Sequence, residues 1–106
     1  MANFDTMTFT AGAAAQQIID DLAADSFVRA TGATQYITGM EITPRSTNSG
    51  AAMYWGRSNV TTAYGSRILK GVSKQISWDN GAINVNDIYM VGDDSTDKAD
   101  IVFTLS

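Results

Sequence analysis

The stretch from Gly56 to Gly71 reads Gly-Arg-Ser-Asn-Val-Thr-Thr-Ala-Tyr-Gly-Ser-Arg-Ile-Leu-Lys-Gly. A short apolar run, Ala51 to Trp55, leads into it. An alternating run, Lys74-Gln75-Ile76-Ser77-Trp78, follows it. Strand, Gly-rich turn, strand is the pattern of small β-sandwiches, so this segment constrains the fold more than any other.

The rest of the chain repeats that grammar. Met7 and Phe9 alternate with Thr8 and Thr10, which predicts a first strand over Met7 to Gly12. Gln35 to Thr43 predicts another, with Tyr36, Thr38, Met40 and Ile42 on one face and Ile37, Gly39 and Glu41 on the other. Pro44 stops it, because proline cannot donate to a ladder. Arg45 to Gly50 is turn chemistry. Ala51 to Gly56 is the next strand, with Met53 and Trp55 on one face, and Ile68-Leu69 a short one. Asn80-Gly81 is a type I′ hairpin signal, which predicts that Gln75 to Trp78 returns through Ile83 and Val85. Ile88 to Val91 is wholly apolar and reads as buried on both faces. Ile101, Phe103 and Leu105 point one way in a final strand, expected to lie inside a sheet.

Ala13 to Ala30 is ambiguous. Ala15, Ile18 or Ile19, Leu22 and Phe27 recur near a helical period, and Asp20, Asp21 and Asp25 fall on the polar side, so a short helix is expected near residues 13–24. The competing reading extends the first strand through Ile18 or Ile19. The expected fold is one domain over residues 1–106, mainly β, a compact antiparallel β-sandwich or jelly-roll-like structure.

Composition narrows function by exclusion. The chain has no cysteine and no histidine, which removes thiolate metal sites and the commonest general base. No apolar run reaches the roughly 18 residues of a membrane span, and the N-terminus has no basic and apolar secretory pattern. Charge is segregated. Residues 1–41 hold five acids and one base, 42–78 hold five bases and no acid, and 79–106 hold six acids and one base. One reading is head-to-tail assembly, with basic middle strands against a neighbour's acidic turns. The other is that the charges interleave on one surface of the folded chain. Five scattered cations in an acidic protein make a poor phosphate footprint, so no direct nucleic-acid contact is expected.

Asp93, Asp94, Asp97 and Asp100 form the one carboxylate cluster. It lacks the offsets of an EF-hand loop and reads as a solvated hairpin turn, with calcium as the alternative. Asp20 and Asp21 would point about 100° apart on a helix and suit a shared substrate poorly. The serines have no partner base. Among the aromatics, Tyr64 lies between Ala63 and Gly65 in the turn and is the expected exposed one. Trp78 beside Ile76 reads as core, and Trp55 fits either role.

Residues 50–106 carry a set of short motifs: Tyr54-Trp55-Gly56, Ser58-Asn59-Val60-Thr61, Gly65, Leu69 and Gly71, then Asp87-Ile88-Tyr89-Met90-Val91-Gly92, Lys98 and Ile101-Val102-Phe103. With Phe9 to Ala13 at the start, they resemble a pattern in small virion proteins of tailed phages. The chain departs from it at Ser66-Arg67-Ile68-Leu69, where the family usually has Ile-Pro-Leu, and at residues 20–35, which look like an insertion. The resemblance implies a non-enzymatic structural protein without a cofactor, made in the host cytoplasm and carried on the capsid surface. Implied partners are the major capsid protein or other virion proteins, and further copies of itself, as a trimer. A decoration, or cement, role would place Arg45, Trp55, Arg57, Tyr64 and Arg67 at the interface. A carbohydrate-binding or adhesion module of a tail fibre, stacking sugars on Tyr64 and Trp55, and a collar or tail-adaptor subunit are the alternatives.

Overall fold

A computed structural model describes residues 3–12, 14–18, 36–77 and 83–105. Nine strands fall within them: β1 (Asn3–Thr10), β2 (Gln16–Gln17), β3 (Tyr36–Pro44), β4 (Ala52–Gly56), β5 (Ser66–Leu69), β6 (Lys74–Ser77), β7 (Ile83–Asn84), β8 (Tyr89–Gly92) and β9 (Lys98–Leu105). They form two antiparallel sheets. One has the order β1-β9-β3-β6, with β7 also on β3, and the other the order β2-β8-β4-β5.

Ile37 pairs with Leu105 on one side and with Ile83 on the other, so β7 lies on the same edge of β3 as β6. Counting β6 and β7 as one broken strand leaves eight. The first half of the chain then pairs in reverse with the second: β1 with β9, β2 with β8, β3 with β6–β7, and β4 with β5. The molecule is one long hairpin rolled into a two-sheet sandwich, the jelly roll. Its apex is the connection from β4 to β5, the same Gly-rich stretch that dominates the sequence.

Period-2 alternation builds the core between the sheets. β1 sends Met7 and Phe9 inward, and β9 sends Ala99, Ile101 and Phe103. Cross-strand register lines up Met7, Ile101 and Ile42 in one row and Phe103 beside Met40 in another. The facing sheet contributes Met53, Ile68 and Met90. β4 is buried on both faces. Met53 faces this core, and Ala52 and Tyr54 join Val60 and Val91 in a second cluster on the other face of their sheet. Ile88, Met90 and Val91 are all buried, as their unbroken apolar run predicts.

Three expectations need correction. Ile37 does not oppose Met40 and Ile42; all three are buried in one core. The β3–β9 register shifts between Ile37 and Gly39, so a bulge at Thr38 turns the earlier residue back inward. The Asn80-Gly81 hairpin would lay β7 beside β6. Instead both run along β3, where Ile76 packs against the core, and the turn residues lie outside the described ones. The helix near residues 13–24 is not formed at Gln16–Gln17, which pair as a strand with Met90 and Tyr89. Ile18 there is fully buried, and its amide donates to the carbonyl of Ile88 (3.1 Å). Pairing and burial outweigh the helix propensity of alanine and glutamine. Residues 19–24 and Trp78 lie outside the described residues.

Candidate functional site

The apex loop, residues 57–65, is a compact structure rather than a loose turn. The Val60 amide donates to the Arg57 carbonyl (2.9 Å). Thr61 and Tyr64 exchange two backbone hydrogen bonds of 2.8 and 3.1 Å, which closes a small hairpin at the tip. Val60, 3% exposed, tacks this loop onto Tyr54 and Val91. Gly65 is glycine because a Cβ there would run into the Val60 side chain and sit 3.2 Å from the Trp55 carbonyl oxygen. So anchored, the loop holds Tyr64 out in solvent at 64% exposure.

Trp55, Arg57, Asn59, Tyr64 and Ser66 line one open cleft at this apex. Trp55 is half-buried, packed against the main core, so it forms the floor and is not a free stacking platform. Its buried indole N–H has no acceptor among the described residues. Arg67 sits next to the cleft on β5, opposite Tyr54, and is exposed. Four of the five expected interface residues therefore gather at one end of the sandwich.

Arg45 does not join them. The Gly71 amide donates to the Pro44 carbonyl (2.7 Å), which ties this corner to the Ala52–Leu69 end of β4 and β5. That is about 10 Å along the strands from the Trp55–Ser66 pair. The Arg45 guanidinium is also occupied. Its Nη2 is 2.9 Å from Asp100 Oδ1, and its Nε donates to Asp100 Oδ2 (3.1 Å).

The hydrogen bond from Arg45 is the main cause holding the Asp100 carboxyl below its ordinary range. Partial burial opposes it, and the Thr8 hydroxyl and the charge of Arg45 assist. A depressed carboxylate stabilises the fold above its unfolded value, and that contribution is lost as pH falls through the folded value. Both side chains are close to half exposed, at 41% and 52%, so screening keeps the contribution small. Asp100→Asn should leave the melting temperature at neutral pH nearly unchanged and flatten its fall below about pH 4. An identical acid slope in the two proteins would refute the assignment.

The acidic segment does not converge on one point. The Asp97 carboxylate, 1% exposed, turns inward: Oδ1 accepts the amides of Ser49 (3.0 Å) and Gly50 (3.2 Å), and Oδ2 that of Asp94 (3.3 Å). Asp93 accepts the Ala52 amide (3.2 Å), Asp94 caps its own turn at Thr96, and Asp100 faces Arg45. Among the described residues no three carboxylates are grouped to hold a metal ion. A solvated turn therefore describes Asp93 and Asp94 but not Asp97, whose buried role carries no local sequence signal. Asn48 is its companion: the side-chain amide donates to the Lys98 carbonyl and accepts the Lys98 amide, both at 2.9 Å, and so pins the 46–50 turn to β9 as a strand would.

Among the described residues no helix is long and apolar enough to cross a membrane. Neither a known family's sequence model nor the sequence of any curated protein matches the chain.

Proposed function

We propose that this protein is a non-enzymatic structural component of a tailed-phage particle, a decoration protein that sits on the capsid surface and braces neighbouring subunits of the major capsid protein. The observation that carries the reading is the apex. Arg57, Tyr64 and Arg67 stand exposed at one end of the sandwich, and neither arginine has an ion-pair partner among the described residues. Exposed arginine and tyrosine beside a tryptophan are the residue types that dominate protein interfaces. The jelly roll is one of the architectures of viral capsid domains, and the phage-like motifs from Tyr54 to Gly71 span this same apex. Many copies, each adding modest contact energy, would give the shell its added strength.

Charge reversal at Arg57 and Arg67 together should lower the number of copies on purified particles by about tenfold or more, because each arginine would meet its partner as a like charge. The isolated variant should melt as the parent does, since both side chains are exposed. Undiminished copy number on the particle would overturn the reading.

A further inference from the structure

β5 is the last strand of its sheet, and among the described residues it pairs only with β4. The Lys70 amide donates to the Ala51 carbonyl (3.0 Å), which fixes the phase of the β4–β5 ladder. Ser66, Ile68 and Lys70 turn their backbone groups toward β4, so Arg67 and Leu69 turn theirs away from it. The Leu69 carbonyl accepts the Val72 amide (3.1 Å). The Leu69 amide and both backbone groups of Arg67 have no partner among the described residues. Ser66, Arg67 and Leu69 are exposed, so this flank is open to solvent.

The side chains beside these groups set what can pair there. Ile68 is buried, so Arg67 and Leu69 stand together on the outer face of the sheet. Across the sheet from Arg67 come Tyr54 and then Val91, both uncharged, and Arg67 has no ion-pair partner among the described residues. Lys70 differs. Its Nζ donates to the Asn48 carbonyl (3.0 Å), and only Ala51 and Ala52 separate it from the Asp93–Asp94 turn. The uncompensated charge on this flank is therefore that of Arg67. Charges on an edge strand guard it against indiscriminate pairing, and Arg67 does so selectively. Two β5 strands related by a two-fold axis would set Arg67 against Arg67 or against Leu69. A carboxylate opposite Arg67 turns repulsion into attraction.

We propose that β5 is a strand-addition site: an extended acidic segment of another protein joins the sheet along this flank. It sets a carboxylate opposite Arg67 and, two residues along, an apolar side chain opposite Leu69. Main-chain hydrogen bonds give the affinity, and these two side chains give the selection. The site deepens the decoration reading by naming the kind of segment a shell would present, and it rests on that reading only for the segment's source.

The full chain and a synthetic peptide test it without a shell. A blocked peptide of repeated Glu-Thr-Val-Thr, about eight residues long, carries glutamate and valine on one face of a strand. At saturation it should slow exchange of the Arg67 and Leu69 amides about tenfold or more. The same repeat with lysine in place of glutamate should not bind. Leu69→Pro replaces the outward-facing amide by ring carbons and leaves the ladder to β4 intact. It should melt near the parent and weaken peptide binding about tenfold or more. Arg67→Glu should invert the preference and bind the lysine repeat, a result that does not depend on how the proline variant folds. An unbound glutamate repeat, equal binding of the lysine repeat, unchanged exchange at Leu69, or full binding to a folded Leu69→Pro chain would each overturn the inference. So would self-association of the parent that Leu69→Pro abolishes, which would assign the flank to a second copy. Loss of copies from particles on reversal of Arg57 and Arg67, with the peptide unbound, would leave the decoration reading standing and this inference fallen.

Discussion

Asp97→Ala should cost about 3 kcal/mol of folding free energy and lower the melting temperature by more than about 10 °C. The carboxylate accepts three backbone amides, those of Ser49, Gly50 and Asp94, while 1% exposed. Alanine strands these donors where the carboxylate had shielded them, and each orphaned group loses about 1–3 kcal/mol before water relaxes into the gap. The site has no slack for repacking. A Cβ on Gly50 would run into the Asp97 carboxylate and lie 2.6 Å from the Asp93 Cβ, so only glycine lets the loop approach this closely. Asp97→Asn should lose less, because its remaining carbonyl oxygen still accepts Ser49 and Gly50 while its amide opposes the Asp94 N–H. Urea unfolding of the three proteins checks this order. A loss below about 1 kcal/mol for the alanine variant would mean that solvent, not Asp97, satisfies the turn.

Phe103→Ala should be at least as damaging, at about 3–5 kcal/mol, and Val102→Ala beside it should stay within about 0.5 kcal/mol. Phe103 is fully buried on β9, which lies between β1 and β3, and it pairs across to Met40. Removing the ring opens a void lined by side chains from both sheets, which close packing cannot easily collapse. Val102 points outward and is 39% exposed, so its truncation removes little contact. Equal losses at the two positions would contradict the inward–outward alternation of the strand. Denaturation midpoints with an unchanged slope would show that the effect lies in native packing.

Much of the candidate surface was legible in the sequence. Tyr64 reads as an exposed residue of the Gly-rich turn, and among the described residues it is the most exposed of the large apolar side chains. Arg57 and Arg67 flank the same turn, so local order alone brought them near it. Trp55 fits either core or surface by sequence, and it occupies both, as a half-buried floor. Arg45 lies apart from the other four, and sequence order does not show it, because its partners Asp100 and Thr8 come from β9 and β1, distant in the chain. The buried pair Asn48 and Asp97 was invisible for the same reason, since turn-forming residues read alike whether they face solvent or a second loop.

Local sequence places most of the strands and tells which are buried on one face or two. Side-chain alternation and turn chemistry act over a few residues, so β4, β8 and β9 declare themselves locally. Which strands pair is set by contacts between distant parts of the chain. The bulge at Thr38, the alignment of β6 and β7 along β3, and the strand at Gln16–Gln17 all depend on partners from elsewhere in the chain. Burying Ile37, Ile76 and Ile18 against the common core outweighs the local preferences for strict alternation, a tight hairpin and a helix. That balance is a property of the assembled sandwich, because the free energy of burial exists only once both sheets are in place.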